Sequence, residues 1–212
     1  MRLMTIMHPI CLAICAGAVF VTLEAYPVKE VSTYLNLSNI ALFITTLYYF
    51  DVTCKTLGFP SCLGTVERNY RTCFCYDFMI TVVYWLMRLY NKGYLYDGSY
   101  AKPEWYNIFV HGGLFILLVL EYFLWRRHLP VIEDYISMIV FGLVITALIY
   151  VPWFAFHYSV YPFVRSFSPV EFVLLPCLII ILLFVAVRGY TILTLQKSSD
   201  EANKLIDVSF SI

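Results

Sequence analysis

The chain has 212 residues, of which 61% are hydrophobic and only 13% are charged. Soluble domains carry roughly 25% charged residues, so most of the surface of this protein is expected to meet lipid rather than water. The formal net charge is zero, which leaves no positive surplus to neutralise phosphates and excludes nucleic acid as an expected partner.

Six apolar runs follow one another along the chain, at residues 4–25, 34–50, 74–90, 105–125, 136–156 and 170–193. Each is long enough to cross, or nearly cross, about 30 Å of hydrocarbon as a helix. The first run follows Arg2 and lacks a small-x-small cleavage site, so we interpret it as a membrane helix rather than a signal peptide. The sequence therefore predicts an all-α, polytopic membrane protein, with a bundle of six transmembrane helices over residues 1–195 and a short, solvent-exposed cytosolic tail over residues 196–212.

The distribution of basic residues predicts the orientation of this bundle. Six crossings leave both termini on one side, and basic residues concentrate on the cytosolic side of membrane proteins. With cytosolic termini, nine of the 14 Lys and Arg residues lie on or near that side and five lie on the other. The nine are Arg2, Lys55, Arg68, Arg71, Arg126, Arg127, Arg188, Lys197 and Lys204, and the five are Lys29, Arg88, Lys92, Lys102 and Arg165. We expect an integral protein of the endoplasmic reticulum, another endomembrane or the plasma membrane, with cytosolic N- and C-termini.

The cysteine pattern does not predict a metal site. The chain has seven cysteines, and Cys54, Cys62, Cys73 and Cys75 fall in or beside one predicted loop. Their spacing fits no zinc motif and no histidine accompanies them, which leaves open reduced, lipid-modified, disulfide-bonded or metal-bound thiols. No HExxH motif, phosphate-binding glycine loop or haem-type histidine pair is present, so we expect no metal and no cofactor.

The most informative stretch, residues 103–113, lies at the start of the fourth run. It places Asn107 and His111 four residues apart, on one face of a membrane helix. A histidine in hydrocarbon is costly unless it faces protein or a cavity, so it is a functional-site hypothesis by default. Under the predicted topology, Ser38 and His111 lie about 6 Å and about 10 Å from the same membrane face. A serine and a histidine within reach of each other suffice for nucleophilic acyl transfer, and Asn107 is a candidate for fixing the imidazole tautomer.

Each candidate also has a structural interpretation. An intramembrane serine such as Ser38 commonly packs against a neighbouring helix and bonds to its own helix carbonyl. His157 either reaches the same cavity or belongs to the aromatic belt at the membrane surface. Arg88 either extends its charge to the membrane surface or binds a fatty carboxylate. Glu121 either pairs with an arginine or lies at headgroup level, and His8 resembles a residue that flanks a membrane segment.

Three segments resemble the androgen-induced family of membrane proteins. They are Pro103-x-Trp105-Tyr106-Asn107-x-x-x-His111, Phe115-Ile116-Leu117-x-x-x-Glu121 and Val160-Tyr161-Pro162-Phe163. The resemblance implies a six-helix, multi-pass hydrolase that cleaves fatty acid esters of hydroxy fatty acids with a threonine and a histidine. By position, His111 matches the family histidine, and Ser38 in Tyr34-Leu35-Asn36-Leu37-Ser38 stands where the family has threonine. Two further departures are Ile108, where the family often has histidine, and His157, where a small residue is expected.

The residues and the resemblance together predict an intramembrane lipid esterase. Ser38 is the predicted nucleophile, His111 the general base, and Asn39 or Asn107 are candidate oxyanion donors. The expected partners are the bilayer and a lipid ester drawn from it, and the sequence does not identify any protein partner. The alternative is a non-enzymatic scaffold or signalling protein that retains the fold, which the loss of the family threonine favours. A transporter has less support, because the sequence shows no inverted repeat and few intramembrane charges.

Overall fold

The structure, a computed structural model, describes residues 2–25, 36–61, 66–90, 104–124, 132–156 and 168–210. Within these ranges the regular secondary structure is entirely helical, so the predicted all-α class is confirmed. The helices are α1 (Arg2–Ala25), α2 (Leu37–Thr56), α3 (Val66–Tyr90), α4 (Glu104–Leu124), α5 (Ile132–Phe156) and α6 (Pro169–Phe210). Five of these six described helices contain a segment long and apolar enough to cross a membrane. The shorter apolar segment of α5 is Ile139–Ala155.

Several predicted helix boundaries are wrong. Helix α3 begins eight residues before the predicted position 74, and α6 continues past the predicted position 193 to Phe210. The hydropathy pattern marks only the most apolar part of a helix, whereas the helix itself continues into more polar sequence. Helix α2 also ends at Thr56, after the predicted position 50, so Cys54 lies in α2. Cys73 and Cys75 lie in α3 rather than in or beside one loop. Cys54 and Cys73 are free thiols, and Cys62 lies outside the described residues.

Local capping signals end α2 and begin α6. Gly58 adopts a φ of 92°, and the N–H of Phe59 donates to the carbonyl of Cys54 at 2.9 Å, which closes a Schellman-type helix end. At the start of α6, the backbone N–H of Ser168 donates to Glu171 Oε2 at 2.6 Å, and the N–H of Glu171 donates to Ser168 Oγ at 3.4 Å. These bonds form a capping box, and they hold the pKa of the Glu171 carboxyl below its usual value.

A group of polar residues, here called the Glu121 cluster, joins α1, α2 and α4 inside the bundle. It consists of His8, Tyr48, Thr56 and Glu121, and the side chain of Glu121 is 0% exposed. The Tyr48 hydroxyl donates to Glu121 Oε1, and His8 Nε2 lies 3.7 Å from the same oxygen. His8 Nδ1 lies 3.0 Å from Thr56 Oγ1. The interpretation of His8 as a flanking residue is therefore wrong, and Glu121 faces other helices instead of headgroups.

Two further hydrogen bonds connect α3 to its neighbours. Thr45 Oγ1 on α2 donates to Asp77 Oδ2 at 2.8 Å, and the Tyr70 hydroxyl donates to the carbonyl of Leu118 on α4 at 2.7 Å. All four residues are buried. Because hydrocarbon offers no water to these groups, each bond fixes which faces of the helices meet.

We expect Glu121→Ala to destabilise the bundle. The change leaves the Tyr48 hydroxyl and the His8 imidazole without their carboxyl partner, and each unsatisfied buried group costs about 1–3 kcal/mol. Because about 1 kcal/mol shifts Tm by about 2–4 °C at this chain length, Tm measured in detergent should fall by about 4 °C or more.

Leu120→Ala is the matched control, since Leu120 is the preceding residue of α4 and its side chain is 51% exposed on the outer face. Its Tm should stay close to that of the parent chain. Equal Tm values for Glu121→Ala and the parent would contradict a stabilising role for the Glu121 cluster.

Candidate active site

A cavity of about 60 Å³ lies among α2, α3, α4, α5 and α6. It is formed near the start of α2 and of α4, whereas the Glu121 cluster draws on residues nearer the ends of those helices. Its described lining comprises Leu37, Ser38, Met79, Ile80, Val83, Tyr84, Met87, His111, Ile149, Leu175 and Ile179. Only Ser38, Tyr84 and His111 in this lining carry a side-chain hydrogen-bond donor. The structure therefore brings Ser38 and His111 to the same cavity, in otherwise apolar surroundings.

His111 lies in a π-helical turn, Phe109–Gly113, that interrupts α4. In this turn the N–H of Leu114 bonds to the carbonyl of Phe109, five residues earlier. Such single π-helical turns are rare in proteins, and those that occur are often found at functional sites. Gly113 allows the turn to be compact, because a Cβ at this position would lie 2.5 Å from Phe109 Cδ2.

Two contacts orient the imidazole of His111. Nδ1 lies 2.7 Å from the backbone carbonyl oxygen of Asn107, and since a carbonyl only accepts, Nδ1 carries the hydrogen and Nε2 is an acceptor in the neutral ring. The ring of Tyr84 stacks on the imidazole, with centroids 3.6 Å apart and planes 15° apart. Asn107 thus contacts the imidazole through its main chain, whereas the sequence analysis had expected its side-chain amide to do so.

Neither predicted oxyanion donor lines the cavity. Asn39 is buried, and its Oδ1 accepts a hydrogen bond from the Tyr106 hydroxyl at 3.4 Å. Tyr106 also bonds to Thr22, so Asn39 belongs to a contact among α1, α2 and α4. Successive residues of a helix point about 100° apart, which separates Asn39 from its neighbour Ser38. Asn107 is also buried, and its side chain is outside the described lining of the cavity.

Arg88 forms a chain of contacts that ends at the cavity. Its Nη2 lies 2.8 Å from Glu104 Oε1, its Nη1 donates to the Tyr84 hydroxyl at 3.2 Å, and its guanidinium lies 5.2 Å from the ring centroid of Trp85. The sequence alone left two roles open for Arg88, a charge extended to the membrane surface or a binding site for a fatty carboxylate. The structure shows neither role directly, and instead shows Arg88 in contact with Glu104, Tyr84 and Trp85.

Of the remaining predictions, His157 lies outside the described residues. Among the described residues, no group of three His, Cys, Asp or Glu side chains is arranged to hold a metal ion. Tyr84 is the site residue that the sequence analysis missed. Its only signal is the four-residue spacing to Arg88, and with 18 tyrosines in the chain that spacing does not single it out.

The sequence pattern of FAR-17a/AIG1-like proteins matches residues 4–195. The chain belongs to the FAR-17a/AIG1-like family. The match confirms the resemblance to the androgen-induced family, and it includes Ser38, Tyr84 and His111. A comparison with curated proteins finds no match, nor does a comparison with solved structures.

The two glycines after His111 should respond differently to an added methyl group. A Cβ at Gly113 meets the ring of Phe109 at 2.5 Å, so Gly113→Ala forces the π-helical turn or the ring to move, at a cost of about 1–3 kcal/mol. A Cβ at Gly112 meets Trp85 Nε1 at 3.5 Å, an ordinary contact distance. We expect Gly113→Ala to lower Tm and Gly112→Ala to leave it nearly unchanged. The same Tm for both variants would contradict the close packing at Gly113.

Proposed function

We propose that this member of the FAR-17a/AIG1-like family is an intramembrane lipid esterase, with Ser38 as nucleophile and His111 as general base. The observation that supports the proposal most is that Ser38 and His111 line one apolar cavity, and that Nε2 is the acceptor nitrogen of His111. Family membership supports a membrane protein of this family. The substrates proposed are fatty acid esters of hydroxy fatty acids, as the resemblance implies.

In the first half of the proposed reaction, Nε2 of His111 takes the proton of the Ser38 hydroxyl while Oγ attacks the ester carbonyl carbon. The tetrahedral intermediate then expels the alkoxide of the hydroxy fatty acid, and the imidazolium returns the proton to it. The bond from Nδ1–H to the Asn107 carbonyl persists throughout. It keeps Nε2 as the nitrogen that exchanges the proton.

In the second half, a water molecule takes the place of the departed alcohol. His111 removes one proton from this water, the resulting hydroxide attacks the acyl-Ser38 ester, and the proton returns to Ser38 Oγ as the fatty acid leaves. One water is consumed, and one acid and one alcohol are produced. No metal or cofactor is required for this sequence of steps.

The size of the cavity supports delivery of the substrate from the bilayer. A buried water needs about 10–15 Å³ of cavity volume. A cavity of about 60 Å³ therefore accommodates an ester group and a water but not two long acyl chains. The chains would have to extend past the apolar wall. Leu175 in that wall is half-buried, and its neighbour Leu174 is exposed on the outer face of α6. We propose that lipid chains leave the cavity along this part of α6.

The proposed compartment is the endoplasmic reticulum, another endomembrane or the plasma membrane, with both termini in the cytosol. The support is the excess of basic residues on the cytosolic side in this orientation, nine against five. The cavity then lies in the leaflet opposite the cytosol.

Ser38→Ala and His111→Ala should each abolish hydrolysis of a fatty acid ester of a hydroxy fatty acid by the purified protein in detergent or vesicles. Ser38→Ala removes the nucleophile and His111→Ala removes the base. A fluorophosphonate probe should label the parent chain, and Ser38→Ala should lose the label. Thr46→Ala is the control, since the Thr46 hydroxyl on the same helix bonds to the Leu42 carbonyl and lies outside the described lining.

If both variants hydrolyse the ester as fast as the parent at equal expression, the esterase proposal is wrong. A parent chain that neither hydrolyses esters nor takes up the probe favours the non-enzymatic scaffold.

Ser38→Thr should retain the activity, because it restores the family residue at this position and keeps the hydroxyl. The added methyl group restricts χ1 and leaves the nucleophilic oxygen in place. The measurement is kcat for the same ester, beside probe labelling of the variant. Loss of both with an unchanged Tm would show that the position does not carry the nucleophile in the manner proposed.

A further inference from the structure

The proposed reaction develops a negative charge on the former carbonyl oxygen, and that charge needs a hydrogen-bond donor. The donors that the sequence suggested, Asn39 and Asn107, are outside the described lining of the cavity. Among the described lining side chains, Tyr84 is the one donor other than the nucleophile and the base.

Tyr84 is held firmly in place. It is 4% exposed, and its ring is stacked on the imidazole of His111 with centroids 3.6 Å apart. The phenol ring therefore lies directly against the imidazole that is proposed to exchange the proton of Ser38. The ring is also in edge contact with Trp85, at a centroid distance of 5.4 Å.

Arg88 also contacts the phenol oxygen of Tyr84. Nη1 donates to this oxygen at 3.2 Å, so the oxygen is the acceptor in this bond, and a phenol hydroxyl can both accept and donate. Glu104 bonds to Nη2 at 2.8 Å and fixes the direction of the guanidinium. A hydrogen bond to a charged donor strengthens the next bond in the chain by polarisation.

We propose that the Tyr84 hydroxyl donates a hydrogen bond to the oxyanion of the tetrahedral intermediate, and that Arg88 is its positioning residue. The inference rests on the proposed esterase function and adds a residue to its site. Tyr84 keeps its proton throughout, so no bond to hydrogen is broken, and the negative charge stays on the substrate oxygen. The guanidinium stabilises that charge through the phenol.

A purely structural role for Tyr84 makes a different prediction, because stacking on His111 needs the ring and not the hydroxyl. Tyr84→Phe separates the two roles, since it keeps the aromatic ring and removes only the oxygen. The test uses the full-length protein and a fatty acid ester of a hydroxy fatty acid, with kcat, KM and Tm measured for each variant.

Removing one oxyanion donor from an enzyme lowers kcat by about 10²–10³-fold. We expect a loss of this order for Tyr84→Phe, with KM and Tm close to the parent values, because the hydroxyl acts in the transition state and the ring still packs. Tyr150→Phe is the matched control, since Tyr150 is a buried tyrosine of α5 outside the described lining of the cavity, and its kcat should not change.

Arg88→Gln provides the second arm. It should lower kcat in the parent background and have little further effect in Tyr84→Phe, because Arg88 acts through the hydroxyl. Equal effects of Arg88→Gln in both backgrounds would overturn its assignment as the positioning residue of Tyr84.

The outcomes separate this inference from the proposed function. An active parent, inactive Ser38→Ala and His111→Ala variants, and a Tyr84→Phe variant with the parent kcat would overturn the role of Tyr84 and leave the esterase function standing. An inactive parent, or an active Ser38→Ala variant, would overturn both proposals. A large fall in kcat for Tyr84→Phe with unchanged KM and Tm is the result that supports the inference.

Discussion

The burial of Glu121 among α1, α2 and α4 is the constraint on which the rest of the bundle depends. Hydrocarbon offers no partner for a carboxyl group, so the hydroxyl of Tyr48 and the imidazole of His8 must meet it inside the protein. Interhelical hydrogen bonds in membranes average only about 0.6 kcal/mol, whereas an unsatisfied buried polar group costs several times more. The Glu121 cluster therefore acts chiefly by excluding other registers of these three helices.

That register also determines the position of the cavity. Tyr48 bonds to Glu121 in the second halves of α2 and α4, and Asn39 accepts from Tyr106 near their starts, so the two helices run in the same direction. Ser38 precedes Tyr48 by ten residues, and His111 precedes Glu121 by ten residues, which is about 15 Å along each helix. Because both residues precede the Tyr48–Glu121 contact by the same distance, they lie at the same height along the two helices. This equal spacing accounts for the presence of both residues in the cavity lining.

A chain of polar contacts then leads from the exposed start of α4 to the cavity. Glu104 is 73% exposed, Arg88 is half-buried, and Tyr84 and His111 lie at the cavity itself. An exposed ion pair such as Arg88–Glu104 contributes little to stability. The ion pair instead orients the guanidinium of Arg88 so that it contacts the Tyr84 hydroxyl. The proposed catalytic residues thus lie near the starts of α2 and α4, whereas the Glu121 cluster lies nearer their ends.

The sequence by itself determined the membrane class, the six helices, the family resemblance and the positions of Ser38 and His111 near the starts of their helices. These follow from apolar run length, the rise per residue and a motif, all of which are properties of the chain alone. Only the tertiary structure decided that α3 and α6 extend into polar sequence and that His8 lies beside Glu121. It also decided that Asn39 contacts Tyr106 instead of lining the cavity, and that Tyr84 stacks on the imidazole of His111. The rotation of each helix about its axis is set by packing against its neighbours, and no pattern along a single apolar run specifies it.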